Sequence, residues 1–388
     1  MIKIEKIIPG GCGLGTLDDG KKIFLWNALP NEVIESYDVV KNKTHFVEAV
    51  ATKIYTASPF RVLPKDSCYL STSPWQIMDY DYELKIKQSL IVELFREHQI
   101  NIPTSEIFTD HHDYFYRNKM EYALYWDNEH NKIQLAFHAR GSHRKIPIIS
   151  SSLERQEIFA AATHIVEELN FRHEEARKYQ SLLLRTNQAG EVSGGLFENK
   201  QPHPKFTYLI DDILGHRYSY SPNGFFQINL PVYEMALTEI KNHISTDDVL
   251  DLYSGVGTIG LSVAHDKNLT LVECDKSAYC EMVKNTAALQ TQNRKIVTIN
   301  TKSEDALEYI NNNQTVILDP PRAGLDRRLV ERLLKVAPST IIYLSCNPAT
   351  QARDVSLLLE KYHITTIKTY NFFPHTPHIE NLVVLSLF

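Results

Sequence analysis

From residue 245 onward, apolar stretches of strand length alternate with stretches of helical character, and this rhythm limits the fold more than any other feature of the chain. The expected strands are Val249 to Tyr253, Leu269 to Cys274, Ile296 to Ile299, Thr315 to Leu318, Thr340 to Leu344 and Leu382 to Phe388. Strands alternating with helices bury both faces in a parallel sheet covered on each side, which is the doubly wound, Rossmann-like α/β class. Ligands of such sheets sit at the carboxyl ends of the strands, so the residues after each strand are where chemistry is to be sought.

The first strand runs on as Asp251-Leu252-Tyr253-Ser254-Gly255-Val256-Gly257-Thr258-Ile259-Gly260, whose glycines let backbone approach a ligand at the start of a helix. Glu273 closes the second strand, at the distance from which a carboxylate accepts hydrogen bonds from a ribose. A nicotinamide cofactor and S-adenosylmethionine both carry that ribose, so these two strand ends leave both open.

The fourth strand ends in Asp319-Pro320-Pro321-Arg322, and two successive prolines cannot continue a ladder. The result is a stiff loop with free carbonyls, suited to a methyl donor beside a planar base. The fifth strand runs into Ser345-Cys346-Asn347-Pro348, which puts a cysteine at the catalytic edge just before a helix whose N-terminus favours the thiolate. Cys274 and Cys280 read as small buried hydrophobes. In Phe373-Pro374-His375-Thr376-Pro377-His378-Ile379-Glu380 the prolines fix a carboxylate, read as a general base. The two histidines match no helix-borne ligand set, and no metal is expected.

Upstream, residues 1–57 form short strands of Ile, Val and Phe broken by turns, the pattern of a small OB-like β-barrel. Residues 58–80, with Pro59, Pro64 and Pro74, read as a connector, and 83–98 as an amphipathic helix. Strands at Lys119 to Tyr125 and Ile133 to His138 and a helix from Leu153 to Leu169 make a central α+β region. The expected division is a barrel over 1–57, connector and central domain over 58–235, and the doubly wound domain over 236–388.

The 388 residues, 43% hydrophobic and 23% charged, suit a globular protein of two or three domains. No run approaches a spanning helix and Met1 to Gly10 has no secretory core, so no membrane partner is expected and the default location is the cytoplasm. Five unpaired cysteines argue against a disulfide framework. The formal charge of −6 argues against a binder that coats nucleic acid indiscriminately, although phosphate affinity depends on the charges that face it.

Together these segments resemble the RNA (uracil-5)-methyltransferases, close to the branch that carries a TRAM domain and modifies ribosomal RNA. The resemblance rests on Ser221-Pro222-Asn223-Gly224-Phe225-Phe226-Gln227-Ile228-Asn229, Tyr253 to Gly257, Asp319 to Arg322, Ser345 to Pro348 and Pro374 to Glu380, in that order. Gly10 to Gly15, Asp19 to Lys21 and Ala28 to Glu32 resemble the TRAM barrel, with Asn31 where glycine is usual. The resemblance implies that Gln227, Tyr253, Gly255, Glu273 and Asp319 bind S-adenosylmethionine, that Cys346 is the nucleophile and that Glu380 is the base. Because carbon 5 of uracil is a poor nucleophile, a thiolate must first add to carbon 6. The target uridine is expected to be flipped out. Arg322, Phe226, Arg117 and Lys119 are the expected substrate contacts, with Phe225 and the segment from Tyr114 as further candidates. Arg140, His143, Arg144 and Lys145 read either as a second basic contact or as a solvated loop.

Many relatives hold an iron–sulfur cluster on four cysteines after the barrel. Here only Cys68 remains, with Ser71, Thr72, Ser73 and Ser150 to Ser152 at the other places, so no cluster is expected and the region should be held by packing alone. Ribosomal RNA is favoured over transfer RNA, and no obligate protein partner is evident. The alternatives are a transfer-RNA uracil-5-methyltransferase, a cytosine-5 enzyme, a nicotinamide-dependent oxidoreductase, which leaves Cys346 and Glu380 without a role, and a non-catalytic RNA-binding protein.

Overall fold

The computed structural model describes residues 1–104, 106–201, 204–289 and 295–388. Its largest sheet has eight strands in the order Ile296–Asn300, Asn268–Glu273, Asp248–Leu252, Gln314–Leu318, Thr340–Ser345, Glu380–Leu387, Tyr362–Tyr370 and Ile107–Phe108. The first five are parallel, and the strand order reverses direction between Asp248–Leu252 and Gln314–Leu318. A crevice opens at such a switch point.

The expectation of a wholly parallel sheet needs correcting. Glu380–Leu387 runs antiparallel to both its neighbours, and Tyr362–Tyr370 is a strand where none was expected. Its His363, Thr366 and Lys368 interrupt the apolar pattern because the strand lies near the sheet edge and is half exposed. Antiparallel neighbours need only a short loop between them, here residues 371–379, where a parallel pair would need a helical crossover. The pairing has a further consequence. Ser345 faces Asn381 across the ladder, so the next step of that register sets Cys346 opposite Glu380.

Both faces of this sheet are covered, partly by chain from outside the expected C-terminal domain. On one face Leu90, Ile91 and Phe95 of helix Tyr80–Glu97 share a core with Leu250, Val316, Tyr343 and Val355. On the other, the hairpin Leu209–Ile213/His216–Tyr220 and helix Leu230–Asn242 pack with Val249, Leu271, Ile342 and Leu382. The boundary expected at 236 therefore cuts a helix, and the sheet cannot bury its faces without residues 209–235. The apolar content of those residues does not reveal which sheet they cover.

The central region is a five-stranded antiparallel sheet of Lys145–Pro147, Lys132–His138, Lys119–Asp127, Tyr179–Thr186 and Val192–Glu198, covered by helix Gln156–Phe171. Residues 2–56 form a six-stranded sheet whose two edge strands, Ile2–Lys3 and Lys6–Ile7, are consecutive in the chain, so the sheet curls back on itself. Asn31 takes φ +68°, a left-handed conformation that asparagine tolerates in place of glycine.

The region around Cys68 is held by more than packing, contrary to expectation. The buried Asp66 carboxylate accepts from the Ser152 N–H at 3.0 Å, the Ser152 hydroxyl at 2.8 Å and Gln76 Nε2 at 2.8 Å. Among the described residues, no helix is long and apolar enough to cross a membrane.

Candidate active site

The strand ends converge on a cleft of about 900 Å³ at the switch point. Its lining includes Gln227, Tyr253, Gly255, Glu273, Asp319, Arg322, Cys346 and Glu380, which lie as far as 153 positions apart in the chain. Tyr253 opens the glycine loop at φ +65°, a strained conformation for a tyrosine and of the kind that collects at functional sites. Gly255 follows at φ +57° with open space where a side chain would stand. Its N–H donates to Glu273 Oε2 at 2.9 Å, while Oε1 accepts from the Asp275 N–H at 2.6 Å. Each carboxylate oxygen has a second lone pair, so Glu273 can still accept from a ribose diol.

On the opposite wall, Asn347 Nδ2 donates to the Arg322 carbonyl at 2.8 Å and ties the cysteine turn to the Pro-Pro-Arg loop. The Arg322 guanidinium lies 3.4 Å from His378 Nδ1. His378 is pulled down to about 4 by burial and by Arg322, so it stays neutral at physiological pH. Among the described residues, no group of three or more potential metal ligands gathers.

The electrostatics differ from the sequence expectation at Cys346. Burial, with Glu380 and Asp319 nearby, pushes the thiol up to about 11, and Arg322 offsets only part of this. Desolvation and the two acidic neighbours act against the thiolate that helix Pro348–Leu358, beginning two residues later, favours. Burial also raises Asp319 to about 7, and burial with Asp319 close by lifts Glu380 well above the carboxylate range.

The four expected substrate contacts separate. Arg322 lines the cleft. Phe225 and Phe226 both line the cleft; Phe226 is 5% exposed and stacked on Tyr220 with centroids 3.8 Å apart, whereas Phe225 is 74% exposed. Lys119 and Arg117 do not line the cleft. Lys119 Nζ donates to the carbonyls of Asn223 and Gly224 at 3.2 and 3.0 Å, and Arg117 Nε to that of Lys119 at 3.2 Å. Lys119 therefore holds the loop before Gln227 and is not turned toward a substrate.

Arg185, which the sequence reading missed, does the same from the neighbouring strand. Its buried guanidinium donates to the carbonyls of Gly224, at 3.2 Å, and Phe226, and lies over the Tyr220 ring. The signal was an arginine closing the apolar run Leu182-Leu183-Leu184. Also missed were Lys302, Ser303 and Glu304, which line the cleft just beyond the third strand, Ile296–Asn300, and carry no motif that marks them. Of the second basic cluster, Arg140 is occupied, its guanidinium 3.9 Å over the Trp26 ring and its Nε on the Leu70 carbonyl at 2.6 Å.

Residues 211–387 match the family described as tRNA (Uracil-5-)-methyltransferase. RNA methyltransferases resemble the chain along its length as well. One from Prochlorococcus marinus is 29% identical, covering 89% of this chain and 96% of the relative, and one from Nanoarchaeum equitans is 28% identical, covering 99% and 92%. Over the residues that build the cleft's sheet, the chain is similar to the tRNA (Uracil-5-)-methyltransferase family. Its fold is that of the tRNA (uracil-54, C5)-methyltransferase of Pyrococcus abyssi, solved with S-adenosyl-L-homocysteine, at a TM-score of 0.78, 23% identity and 99% of both chains.

The cleft of this methyltransferase fits the donor S-adenosylmethionine on its own geometry. Glu273 retains acceptor capacity for a ribose diol, and the glycine loop allows close backbone approach to a ligand.

Proposed function

We propose that this protein transfers a methyl group from S-adenosylmethionine to carbon 5 of a uridine in RNA, with Cys346 as the nucleophile and Glu380 as the base. The observation that carries the reading is the ladder register that sets Cys346 and Glu380 across from each other at the wall of one cleft. Gln227, Tyr253, Gly255, Glu273 and Asp319 would hold the donor, which supplies an electrophilic methyl on a sulfonium.

In this reading the Sγ–C6 bond forms as the thiol proton leaves to water in the open cleft and the C5–C6 π pair shifts toward O4. C5 then takes the methyl as its bond to the sulfonium breaks, which leaves a neutral thioether. The Glu380 carboxylate removes the proton left on C5, the C5–C6 double bond re-forms, and the C6–Sγ bond breaks to return the thiolate. Burial pushes the Cys346 thiol and the Glu380 carboxyl up, and a cation beside them favours the ionised forms of both.

The TRAM resemblance of residues 10–32 is the ground on which ribosomal RNA, 23S in particular, is the substrate we favour. Transfer RNA is the second reading, supported by the likeness of the whole chain to the Pyrococcus abyssi enzyme. Mapping 5-methyluridine in both RNAs from cells lacking the protein decides between them. A site lost from 23S RNA supports the first reading and one lost from transfer RNA the second, while unchanged maps reject both.

A further inference from the structure

We propose that a buried polar cluster positions the loop that presents the base, and that His375 and Asp113 are positioning residues for proton removal from carbon 5. The inference rests on the roles given above to Cys346 and Glu380.

Residues 371–379 lead directly into Glu380, and four other segments hold them. Glu83 and Lys87 of helix Tyr80–Glu97 form a fully buried pair at 2.8 Å. The Glu83 carboxylate accepts the His375 N–H at 2.9 and 3.1 Å, and Lys87 Nζ donates to Asn371 Oδ1 at 2.6 Å and to the Phe373 carbonyl at 3.1 Å. Trp75 receives no less of the load, its N–H donating to the His375 carbonyl at 3.0 Å and its indole N–H to the Gly11 carbonyl at 3.0 Å. A Cβ on Gly11 would stand 2.6 Å from Pro377 Cβ, so the N-terminal sheet also touches the loop.

The fourth segment is the turn from Asp110 to Arg117. His375 Nε2 lies 3.0 Å from Asp113 Oδ2, the Tyr116 hydroxyl donates to the Pro374 carbonyl at 3.1 Å, and the Tyr114 ring lies 4.3 Å from the imidazole. Ionised Asp113 can only accept, so Nε2 carries the hydrogen. Burial would raise Asp113, but the bond from His375 holds it below its usual value. His375 itself sits at φ +59°, which a side chain keeps only where its surroundings over-determine it. Phe115 in the same turn takes φ +54° and is exposed, so a ligand that meets this turn meets a segment bonded directly to the base loop.

Removing two charges from water to hold a loop is a poor route to stability, since apolar packing does as well or better. It does fix one geometry, and the geometry at stake here is where Glu380 begins. The bonds converge on the loop before the base, and the cysteine turn is tied separately through Asn347. Loss of the His375–Asp113 contact should therefore slow proton removal and leave cysteine addition largely intact.

The test compares the parent with His375→Ala, His375→Gln and Glu380→Gln on two RNAs, one with uridine and one with 5-fluorouridine at the target. Fluorine leaves no proton on carbon 5, so the rate at which the covalent RNA–protein species appears reports only cysteine addition and methyl transfer. For His375→Ala we expect that rate within about threefold of the parent, turnover on ordinary RNA reduced about tenfold or more, and a covalent species on ordinary RNA. His375→Gln, whose amide can still donate to Asp113, should recover much of the turnover. Should His375→Ala not fold, Asp113→Ala, which removes the acceptor at the more exposed end of the contact, gives the same readout. Equal loss in both rates, or no loss in either, overturns the proposal. If Glu380→Gln itself traps no covalent species, it is the underlying roles of Cys346 and Glu380 that fail.

Discussion

Two sets of acids, Glu83 and Glu380 buried and Asp113 and Asp319 half-buried, lie on either side of one short loop. Glu83 and Asp113 each have a partner, Lys87 at 2.8 Å and His375 at 3.0 Å. Among the described residues Asp319 and Glu380 form no ion pair, and their carboxyls are lifted by burial. The difference separates holding from reacting. A paired charge fixes geometry and stays ionised, whereas an unpaired one is kept near a proton exchange, as an active-site acid must be.

The contrast would break first at the reacting end. Replacing Cys346 by Ala should abolish methyl transfer and the covalent RNA species while donor binding, followed by calorimetry, persists; residual transfer near the parent rate would remove the nucleophile from the mechanism. Glu380→Gln should lower turnover by about 10²–10⁴-fold and accumulate the adduct on denaturing gels. At the holding end, Lys87→Met leaves Glu83 buried without its cation and should lower the unfolding free energy by about 3–5 kcal/mol. The double change Glu83→Gln, Lys87→Met should recover much of that in urea melts, and no recovery would mean the pair is not the unit that matters.

Smaller effects sharpen the picture. Phe225→Ala should weaken RNA binding by about 1–3 kcal/mol in a filter assay, with donor affinity nearly unchanged. The pH dependence of stability gives the last test. Burial pushes Asp319 and Asp251 up to about 7 and about 8, so above pH ~4 the folded protein retains protons that the unfolded chain has released. These groups stabilise the fold fully at low pH, and that contribution is lost as pH rises from about 4 to about 8. Asp319→Asn should flatten this slope and raise Tm at pH 8 by about 2 °C while activity falls; a lower Tm would show that the carboxylate holds the fold as well as the chemistry.

The cleft was legible where a residue's position after a strand was itself the signal. Tyr253, Gly255, Glu273, Asp319 and Cys346 all stand at strand ends, where the doubly wound class places ligands. Glu380 stands at the start of a strand, and its place beside Cys346 depends on the antiparallel pairing of Glu380–Leu387, which no local pattern announces. Arg185, Lys119 and the Glu83–Lys87 pair act across more than 30 residues of separation, on carbonyls and amides that sequence does not distinguish. The thiol of Cys346 shows the same limit. Its place before a helix was visible, but the burial and the two acids that dominate it were not.

The alternation of strands and helices from Asp248 to Ser345, the strand-end motifs and the residue types able to form and break a bond to a nucleobase could be read from the sequence alone, because periodicity and turn chemistry are local. Tertiary structure alone decided which strands run antiparallel, which distant segments cover the sheet, and which buried charges find partners. Those outcomes depend on contacts between residues far apart in the chain, and it is desolvation within such contacts that sets whether an acid holds the fold or takes part in the reaction.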